Sequence, residues 1–452
     1  MGNPSRAREG GISLRADRQI VDLLGIGFGP SNVAVDIAAV EHNEAGTEPL
    51  ISAEFVEQKP AFGWHHGMLI DGTTLQVSFL KDLATLRNPT SRFGFLSYLH
   101  AKDRLIDFIN HKCLYPSRIE FNDYLSWCAS QIDDLVHYGR RAISARPVSV
   151  DGFVTHYEVT DRGTHNGSLT MRLARNLVVG PGLSPRMPAG LSQSRRVWHS
   201  HFLLDRLETL DVAQPRRFVV LGAGQSAAEV AEHLHSRYPT AEVFAVFSRF
   251  GYSQSDDSPY ANRIFDPQTV DVFYSSPEDV KVALMRYHGN TNYSVVDVDL
   301  IEELYRRAYQ ERIRGPERLR LFNVSELADV RERTDGIQVV IRHLHSGELS
   351  TLDADALVCA TGYRPTDPRS LLGEVGPLLL DDAQGRLRLE RDYRVATAPE
   401  VLAGVYLCGG TEHTHGITSS LLSVAAVRAG EILRSVIERA EHCAVPRSYA
   451  TT

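Results

Sequence analysis

The sequence predicts an α/β fold with two Rossmann-like dinucleotide-binding domains and a small, mostly helical insertion. Two glycine-rich fingerprints, beginning at Gly25 and Gly222, are the main reason for this prediction. Each follows an apolar, β-branched run typical of a buried parallel strand, and each precedes a helical pattern. That context favours a dinucleotide site over an ordinary strand–turn–helix. The insertion is predicted over residues 255–310, where the chain departs from a minimal Rossmann unit.

The first fingerprint reads Gly25-Ile26-Gly27-Phe28-Gly29-Pro30-Ser31. Its glycines permit a tight turn and a close backbone approach to a pyrophosphate, whose charge the N–H groups at the helix start would hold. We expect the helix over residues 31–38 and a second strand over residues 53–57. Glu57, at the end of that strand, is the candidate for binding a ribose hydroxyl. The alternative is a solvated strand-end glutamate.

The second fingerprint, Gly222-Ala223-Gly224-Gln225-Ser226, follows a predicted strand over residues 217–221. Its partner strand, residues 242–247, leads into Arg249 rather than an acidic residue. A guanidinium binds a 2′-phosphate bidentately, whereas a carboxylate would repel it. This site therefore indicates NADPH rather than NADH, with a plain surface arginine as the alternative. Two such sites most simply hold a flavin and the nicotinamide that reduces it.

The remaining elements are predicted from local signals. Ser258-Pro259 is a good helix start, and a second helix of the insertion has apolar residues from Val296 to Ala308 on one face. Strands over residues 337–343 and 356–360 are expected to complete the second domain. Thr418-Ser419-Ser420 is expected to cap a helix that runs to about Ile437, and residues 75–86 are expected to be partly helical.

These elements divide the chain into domains with stated boundaries. The predicted units are a disordered N-terminal segment (1–18), a flavin domain in two pieces (19–210 and 365–440), a nicotinamide domain (213–364) that contains the insertion (255–310), and a C-terminal tail (441–452).

Composition excludes several functional classes. The 452 residues are 43% hydrophobic and 23% charged with a net charge of −8, which is typical of a soluble globular protein and argues against a nucleic-acid partner. No apolar stretch is long enough to span a membrane. The five cysteines include no C-x-x-C pair and no metal-ligand spacing. We therefore expect reduced, buried thiols, no metal, and a cytoplasmic location.

Further motifs, each ambiguous alone, resemble one known family through their order and spacing. They are the opening at residues 25–32, the Phe62-Gly63-Trp64-His65 turn with Met68, residues 75–83, residues 86–91, residues 256–259, residues 291–293, residues 360–363 and residues 415–417. The chain after residue 18 thus resembles the flavin-dependent N-hydroxylating monooxygenases, the ornithine N5- and lysine N6-hydroxylases of siderophore biosynthesis.

The resemblance implies a monooxygenase that uses FAD, NADPH and O₂ on a free amino acid. NADPH would reduce FAD, O₂ would add at the flavin C4a atom, and the hydroperoxide would give its distal oxygen to the terminal amine. In these relatives the positions of Trp64, His65 and Met68 belong to the cofactor site. The resemblance also implies a homo-oligomer, a tetramer or a dimer.

Residue roles follow from the same resemblance. Lys81 and Asn262 would hold the substrate carboxylate, and Asn292 would hold its backbone groups or the amine. Gln76 would lie against the flavin and nicotinamide, with Thr418 and Leu421 beside the flavin and the reacting amine. Asn292, Thr418 and Gln76 are the implied catalytic residues.

Local sequence alone leaves other readings of the substrate residues open. A lysine such as Lys81 in an apolar run can extend its ammonium to solvent, and Asn262 and Asn292 are residue types that also cap helices and turns. No residue is an obvious general base. We expect a desolvated pocket to lower the pKa of the substrate amine, which must be neutral to react.

The leading substrate is L-ornithine, with L-lysine second and a diamine such as putrescine third. Family members that act on ornithine often have Gly-Leu-Ser-Asp-Thr after the histidine, whereas this chain has Gly416-Ile417-Thr418-Ser419-Ser420. A flavin disulfide reductase would need a paired cysteine motif. A Baeyer–Villiger monooxygenase would need a signature that residues 197–201 do not reproduce.

Overall fold

The two fingerprint strands lie in separate sheets of a computed structural model, which describes residues 19–442. The predicted N-terminal segment (1–18) and all but the first two residues of the predicted tail (441–452) lie outside this range. The strands are β1 (Ile20–Ile26), β2 (Ala53–Val56), β3 (Val136–His137), β4 (Arg140–Val150), β5 (Phe153–Gly163), β6 (Leu169–Val179), β7 (Leu183–Pro185), β8 (Val197–His199), β9 (Arg217–Leu221), β10 (Glu242–Val246), β11 (Leu319–Phe322), β12 (Ser325–Glu332), β13 (Ile337–His343), β14 (Leu349–Ala354), β15 (Ala356–Cys359), β16 (Tyr363–Pro365) and β17 (Gly404–Leu407).

The helices alternate with these strands around both fingerprints and cluster between β10 and β11. They are α1 (Pro30–Glu44), α2 (Phe95–Ala101), α3 (Leu105–His111), α4 (Arg118–Ser130), α5 (Leu203–Glu208), α6 (Gln225–Arg237), α7 (Thr269–Ser275), α8 (Glu278–His288), α9 (Val298–Arg314), α10 (Arg369–Leu372), α11 (Glu412–His415) and α12 (Ala425–His442).

The first sheet has the order β3-β2-β1-β6-β5-β4, and β17 pairs with β6. Strands β3, β2, β1, β6 and β17 are parallel, whereas β4, β5 and β6 form an antiparallel extension. Because β1 is central, it is buried on both faces, as its apolar run predicts. Helix α12 packs along α1 over the apolar core, so the end of the chain returns to the first fingerprint.

The second sheet is fully parallel, with the order β11-β10-β9-β15-β8. Strand β8 lies at its edge and pairs with β15. The chain therefore crosses to the second domain before Val197, not at the predicted boundary near residue 210. The small sheet of β7 and β16 joins the outgoing and returning connections.

Strand β13 has the predicted bounds and lies in an antiparallel sheet with β12 and β14, outside the second sheet. Three predictions about other elements were wrong. Residues 75–86 form turns rather than helix, and the segment after Ser258 forms a short 3₁₀ helix, Ala261–Phe265. Residues Ile417–Ser420 are also a 3₁₀ helix, so the last α-helix begins at Ala425 instead of after residue 420.

The cysteines that the structure describes are unpaired. Cys128, Cys359 and Cys408 are buried, whereas Cys113 is half-buried. Cys443 lies outside the described residues. Within residues 19–442 no helix is long and apolar enough to cross a membrane, and no group of histidine, cysteine and acidic residues is arranged to hold a metal.

Helix α1 contains an acidic side chain on its buried face. Asp36 is buried, and its Oδ2 atom makes no hydrogen bond. Burial raises the pKa of Asp36 from 3.8 to about 8. Between these pH values the carboxyl is protonated in the folded protein and ionised in the unfolded chain, so stability falls as pH rises through that window.

We expect Asp36→Asn to stabilise the protein, by an amount that grows from about pH 4 to about pH 8 at up to about 1.4 kcal/mol per pH unit. Asparagine keeps the volume but has no proton to lose. Thermal unfolding of both proteins across this range would test the expectation. Parallel stability curves would show that the Asp36 carboxyl has an ordinary pKa.

Candidate active site

The first fingerprint turn is fixed by close backbone packing. Gly27 has φ +85°, and a Cβ there would lie 2.6 Å from the carbonyl oxygen of Gly180. The buried Asn32 donates its Nδ2 to the Gly27 carbonyl at 2.5 Å. The turn that follows β1 is therefore determined by Gly27 and Asn32, whereas Gly25 lies within β1 and its α-carbon faces the Phe55 ring.

The N-terminus of α1 is open beside this turn. Gly29 is the N-cap, no side chain caps the helix, and a Cβ on Gly29 would meet no atom within 4 Å. Pro30 and Ser31 form the first turn. Uncapped N–H groups with free space before them make an anion site, and the arrangement fits the pyrophosphate of a dinucleotide.

Glu57 lies directly after β2 and is buried. Its Oε2 accepts a hydrogen bond from the Phe28 N–H at 2.7 Å, and its Oε1 accepts one from the Lys59 N–H at 2.8 Å. The carboxylate thus holds the fingerprint turn against the strand end. Each oxygen can accept a further hydrogen bond, so the ribose role stays a prediction.

The turn with Trp64, His65 and Met68 lies near the second domain and the connection that returns from it. The His65 ring lies 6.4 Å from the ring of His201, just after β8 of the second domain, and 6.3 Å from that of Tyr363 in β16. Burial lowers the pKa of His65 to about 4, so the imidazole is neutral near pH 7. His65 thus lies beside the second domain and the returning connection, and its contact with a cofactor stays a prediction.

The second fingerprint repeats the geometry of the first. Gly222 has φ +138°, and a Cβ there would overlap the Ala360 carbonyl oxygen. Gly224 is the N-cap of α6 with no side-chain cap. In both fingerprints the first glycine of the turn packs against a carbonyl of a neighbouring chain segment, and the second begins a helix with an uncapped N-terminus.

A polar network connects the flavin domain to the second fingerprint, and most of its contacts were not predicted from the sequence. The Asp297 carboxylate accepts hydrogen bonds from Gln76 Nε2 at 3.0 Å and Gln225 Nε2 at 3.1 Å, and the Asp297 N–H donates to Gln225 Oε1 at 2.9 Å. Gln225 Nε2 also donates to Glu229 at 3.1 Å. Gln76 therefore contacts the nicotinamide domain, while its contact with the cofactors stays a prediction.

Glu229 extends this network to the flavin domain. Both of its oxygens accept from Arg118, at 2.9 and 2.7 Å, and Arg118 also donates to the Met68 carbonyl at 3.0 Å. We call Met68, Gln76, Arg118, Gln225, Glu229 and Asp297 the interdomain network. Burial, with the nearby charge of Glu229 adding to it, raises the pKa of Asp297. The sequence feature that could have indicated this network is Glu229, an acidic residue four positions after Gln225 on the buried side of α6.

Arg249 lies past the end of β10, beside the insertion. Its Nη1 donates to the Ser294 carbonyl at 2.8 Å, and Ser294 adjoins the Gly224 α-carbon. The guanidinium thus lies near the second helix N-terminus, where its 2′-phosphate role stays a prediction. Ser226 occupies the first turn of α6.

The structure brings the segments of the predicted substrate residues together. The 3₁₀ helix with Asn262 packs against the 3₁₀ helix with the buried Thr418, and the Leu421 N–H donates to the Thr418 carbonyl. Asn292 adjoins Tyr293, whose hydroxyl donates to Glu412 just before this turn. Asn262 itself donates to the Asp257 carbonyl at 2.8 Å, the local bond that its turn-forming alternative predicts.

Lys81 enters this region from the flavin domain. Its ammonium lies 5.7 Å from the centroid of the Phe265 ring and makes no ion pair with the described residues. Burial lowers the pKa of Lys81, while the charge of Asp266 acts in the opposite direction. A half-buried ammonium that lacks an anion fits an incoming carboxylate better than the solvent-extended alternative.

This architecture defines a class: proteins with two Rossmann-type nucleotide domains, like flavin-dependent reductases and monooxygenases. The sequence profile described as L-lysine 6-monooxygenase/L-ornithine 5-monooxygenase matches residues 19–365. The chain belongs to this family, as its motifs predict.

Individual relatives agree over nearly the whole chain. The L-ornithine N(5)-monooxygenase of Burkholderia cepacia is 41% identical over 424 residues, which cover 92% of this chain and 94% of the relative. The ornithine N-hydroxylase of Kutzneria sp. 744, solved with reduced FAD, NADP⁺ and L-ornithine, superposes with a TM-score of 0.89 and 42% identity, covering 93% of this chain and all of that one. The L-lysine 6-monooxygenase of Pseudomonas syringae has a TM-score of 0.81 and 32% identity, covering 93% of this chain and 99% of that one.

Proposed function

We propose that this chain is an NADPH- and FAD-dependent monooxygenase that hydroxylates the side-chain amine of L-ornithine, for hydroxamate siderophore or related biosynthesis. The observation that carries the proposal is the half-buried Lys81 ammonium, which has no ion-pair partner among residues 19–442 and lies where the insertion meets the turn with Thr418. An amino-acid substrate supplies the missing carboxylate. The ornithine enzymes compared above are also more similar to this chain than the lysine enzyme is.

We assign FAD to the first fingerprint and NADPH to the second, with Arg249 for the 2′-phosphate. FAD bound there would supply the acceptor for a hydride from NADPH and the means of activating O₂, one oxygen atom of which would be transferred to the amine. The open N-termini of α1 and α6 fit the two pyrophosphates. The interdomain network would hold Gln76 at the boundary between the two cofactors.

The protein's own groups bind and orient the substrate. Lys81 and Asn262 would hold the α-carboxylate, and Asn292 and Thr418 would orient the amine nitrogen. The reacting amine must be neutral. Because burial already lowers the pKa of Lys81, the same environment would favour the neutral form of a substrate amine nearby.

The alternatives differ in length and charge. L-Lysine has one more methylene, and putrescine has no carboxylate for Lys81. Thr418, in place of the serine frequent in ornithine enzymes, would add a methyl group near the amine, a difference that bears on the length of the substrate rather than on the reaction.

Two finer properties belong to the same proposal. We expect a cytoplasmic location, since the described thiols are unpaired. Its resemblance to the family implies that the enzyme uses O₂ and forms a homo-oligomer, a tetramer or a dimer.

Gly29→Ala tests the assignment of FAD to the first fingerprint. Gly29 has φ −86° and open space around its α-carbon, so alanine fits the fold, yet its methyl group occupies the path of the pyrophosphate. We expect the Kd for FAD to rise at least about tenfold with little change in the unfolding temperature of the apoprotein. Flavin fluorescence titration and thermal unfolding measure the two quantities.

Gly27→Ala provides the contrast. An alanine at position 27 would have to adopt a left-handed backbone, and its methyl group would meet the Gly180 carbonyl. This substitution should therefore destabilise the apoprotein as well. Full flavin occupancy and unchanged activity in Gly29→Ala would contradict the assignment.

Lys81→Met tests whether Lys81 binds the substrate carboxylate. We expect the KM for ornithine to rise about 30-fold or more, the usual effect of breaking a desolvated charge pair. Flavin reduction by NADPH should stay close to the normal rate. Turnover of putrescine, which has no carboxylate, should change much less. The hydroxylamine product should be measured for ornithine, lysine and putrescine, because uncoupled NADPH oxidation mimics turnover.

Lys281→Met is the matched control. Lys281 is another lysine of this region whose ammonium lies over aromatic rings, 5.9 Å from those of Phe273 and Tyr274. Its replacement should leave the KM for ornithine unchanged. Loss of flavin reduction in Lys81→Met, or an equally steep loss of putrescine turnover, would remove Lys81 from carboxylate recognition.

A further inference from the structure

The structure contains a buried arginine beside the first fingerprint that the family motifs did not single out. Arg428 is the fourth residue of α12, and only 2% of its surface is exposed. Its Nη1 donates to the Ser419 carbonyl at 2.5 Å, and its Nη2 donates to Ser31 Oγ at 3.3 Å. The guanidinium therefore links the last turn of the active site to the first turn of α1.

Arg428 forms no ion pair with any carboxylate in residues 19–442. Its charge acts on Tyr393, Cys408 and His415, all neutral near pH 7. Burial raises the pKa of Tyr393 to about 12 and that of Cys408 to about 11, and it lowers the pKa of His415 to about 3. A buried cation without an anion is expensive.

The N-terminus of α1, which lies beside Arg428, also carries positive charge. Gly29 leaves the N-terminus of α1 uncapped, so its N–H groups carry the positive end of the helix dipole. Arg428 reaches the same turn from the side, through Ser31. The helix terminus and the guanidinium thus both lie at the first turn of α1, and an anion bound there would compensate both charges.

We propose that Arg428 is the counter-ion of the cofactor pyrophosphate at the N-terminus of α1. The inference rests on the assignment of FAD to the first fingerprint, and it adds a residue from the opposite end of the chain. Because the same guanidinium holds the Ser419 carbonyl, phosphate binding would also fix the turn that carries Thr418 and Leu421. In the protein without cofactor, the charge of Arg428 is uncompensated.

Arg428→Met should weaken binding of FAD about 10- to 100-fold, the usual effect of losing a hydrogen bond to a charged group. It should weaken binding of ADP, which has the pyrophosphate but no flavin, by a similar factor. The unfolding temperature of the full-length apoprotein should stay the same or rise, because the uncompensated charge is gone. Arg428→Lys should keep most of the affinity. Flavin fluorescence, calorimetry with ADP and thermal unfolding measure these effects.

Arg394→Met is the matched control, since Arg394 is also buried in the flavin domain. Arg394 donates to the carbonyls of Val401 and Ala403 and lies 3.8 Å from Glu390. Its replacement should lower the unfolding temperature of the apoprotein and leave the affinity of the folded protein for FAD unchanged.

Two results would overturn the inference. One is wild-type affinity of Arg428→Met for both FAD and ADP. The other is a fall in its apoprotein unfolding temperature as large as that of Arg394→Met, without a specific loss of affinity. A third result would separate the two proposals. If the wild-type protein binds ADP but not FAD, and Arg428→Met weakens the binding of ADP, Arg428 is a counter-ion of a pyrophosphate but the first fingerprint does not hold FAD.

Discussion

The Arg118–Glu229 ion pair is the interaction on which the arrangement of the two nucleotide domains depends. It joins α4 of one domain to α6 of the other through two hydrogen bonds, and Glu229 is buried. Removing one partner of such a pair leaves a charge without compensation, which typically costs about 3–5 kcal/mol. The ion pair therefore fixes the position of α4 relative to α6, because a shift of one domain against the other would break both hydrogen bonds.

The rest of the active site is organised around this pair. Glu229 accepts from Gln225 in the second fingerprint, Gln225 bonds Asp297 at the start of α9, and Asp297 accepts from Gln76 of the flavin domain. The insertion is thus anchored to both domains at one end. Phe265, in another part of the insertion, lies beside the half-buried Lys81 ammonium. The predicted substrate residues thus come from three parts of the chain, each held by packed elements, which favours a fixed geometry for recognition.

Sequence reasoning predicted the parts of the fold that local chemistry determines. The strands and helices at both fingerprints are confirmed because buried β-branched runs and glycine turns identify them without tertiary information. The predicted position of the last helix was wrong, since Thr418 and its neighbours resemble a cap but form a 3₁₀ turn that packs against another turn. The bounds of β13 are confirmed, but its alternating pattern does not specify which strands it pairs with, and the structure places it in a separate antiparallel sheet.

The candidate substrate residues were predicted from the resemblance to the family rather than from local sequence patterns. Lys81, Asn262 and Thr418 are far apart in the sequence, and only the fold brings their segments together. Gly27 illustrates the limit: its need for glycine comes from the Gly180 carbonyl, which no local pattern reveals. No sequence motif marks Arg118 or Arg428. Arg118 matters because it pairs with the buried Glu229, whereas Arg428 matters because it is buried without a carboxylate partner in residues 19–442.

The most direct test of this account is the rate of flavin reduction at saturating NADPH, measured anaerobically in Glu229→Gln. The account predicts a rate at least about tenfold lower with FAD still bound, because a shift of about 1 Å between reacting groups can cost about a hundredfold. Replacing Arg118 by Met in the same variant should restore part of the rate, since no unpaired charge remains. Normal reduction in Glu229→Gln, together with a lower unfolding temperature, would show that the pair stabilises the fold without aligning the cofactors.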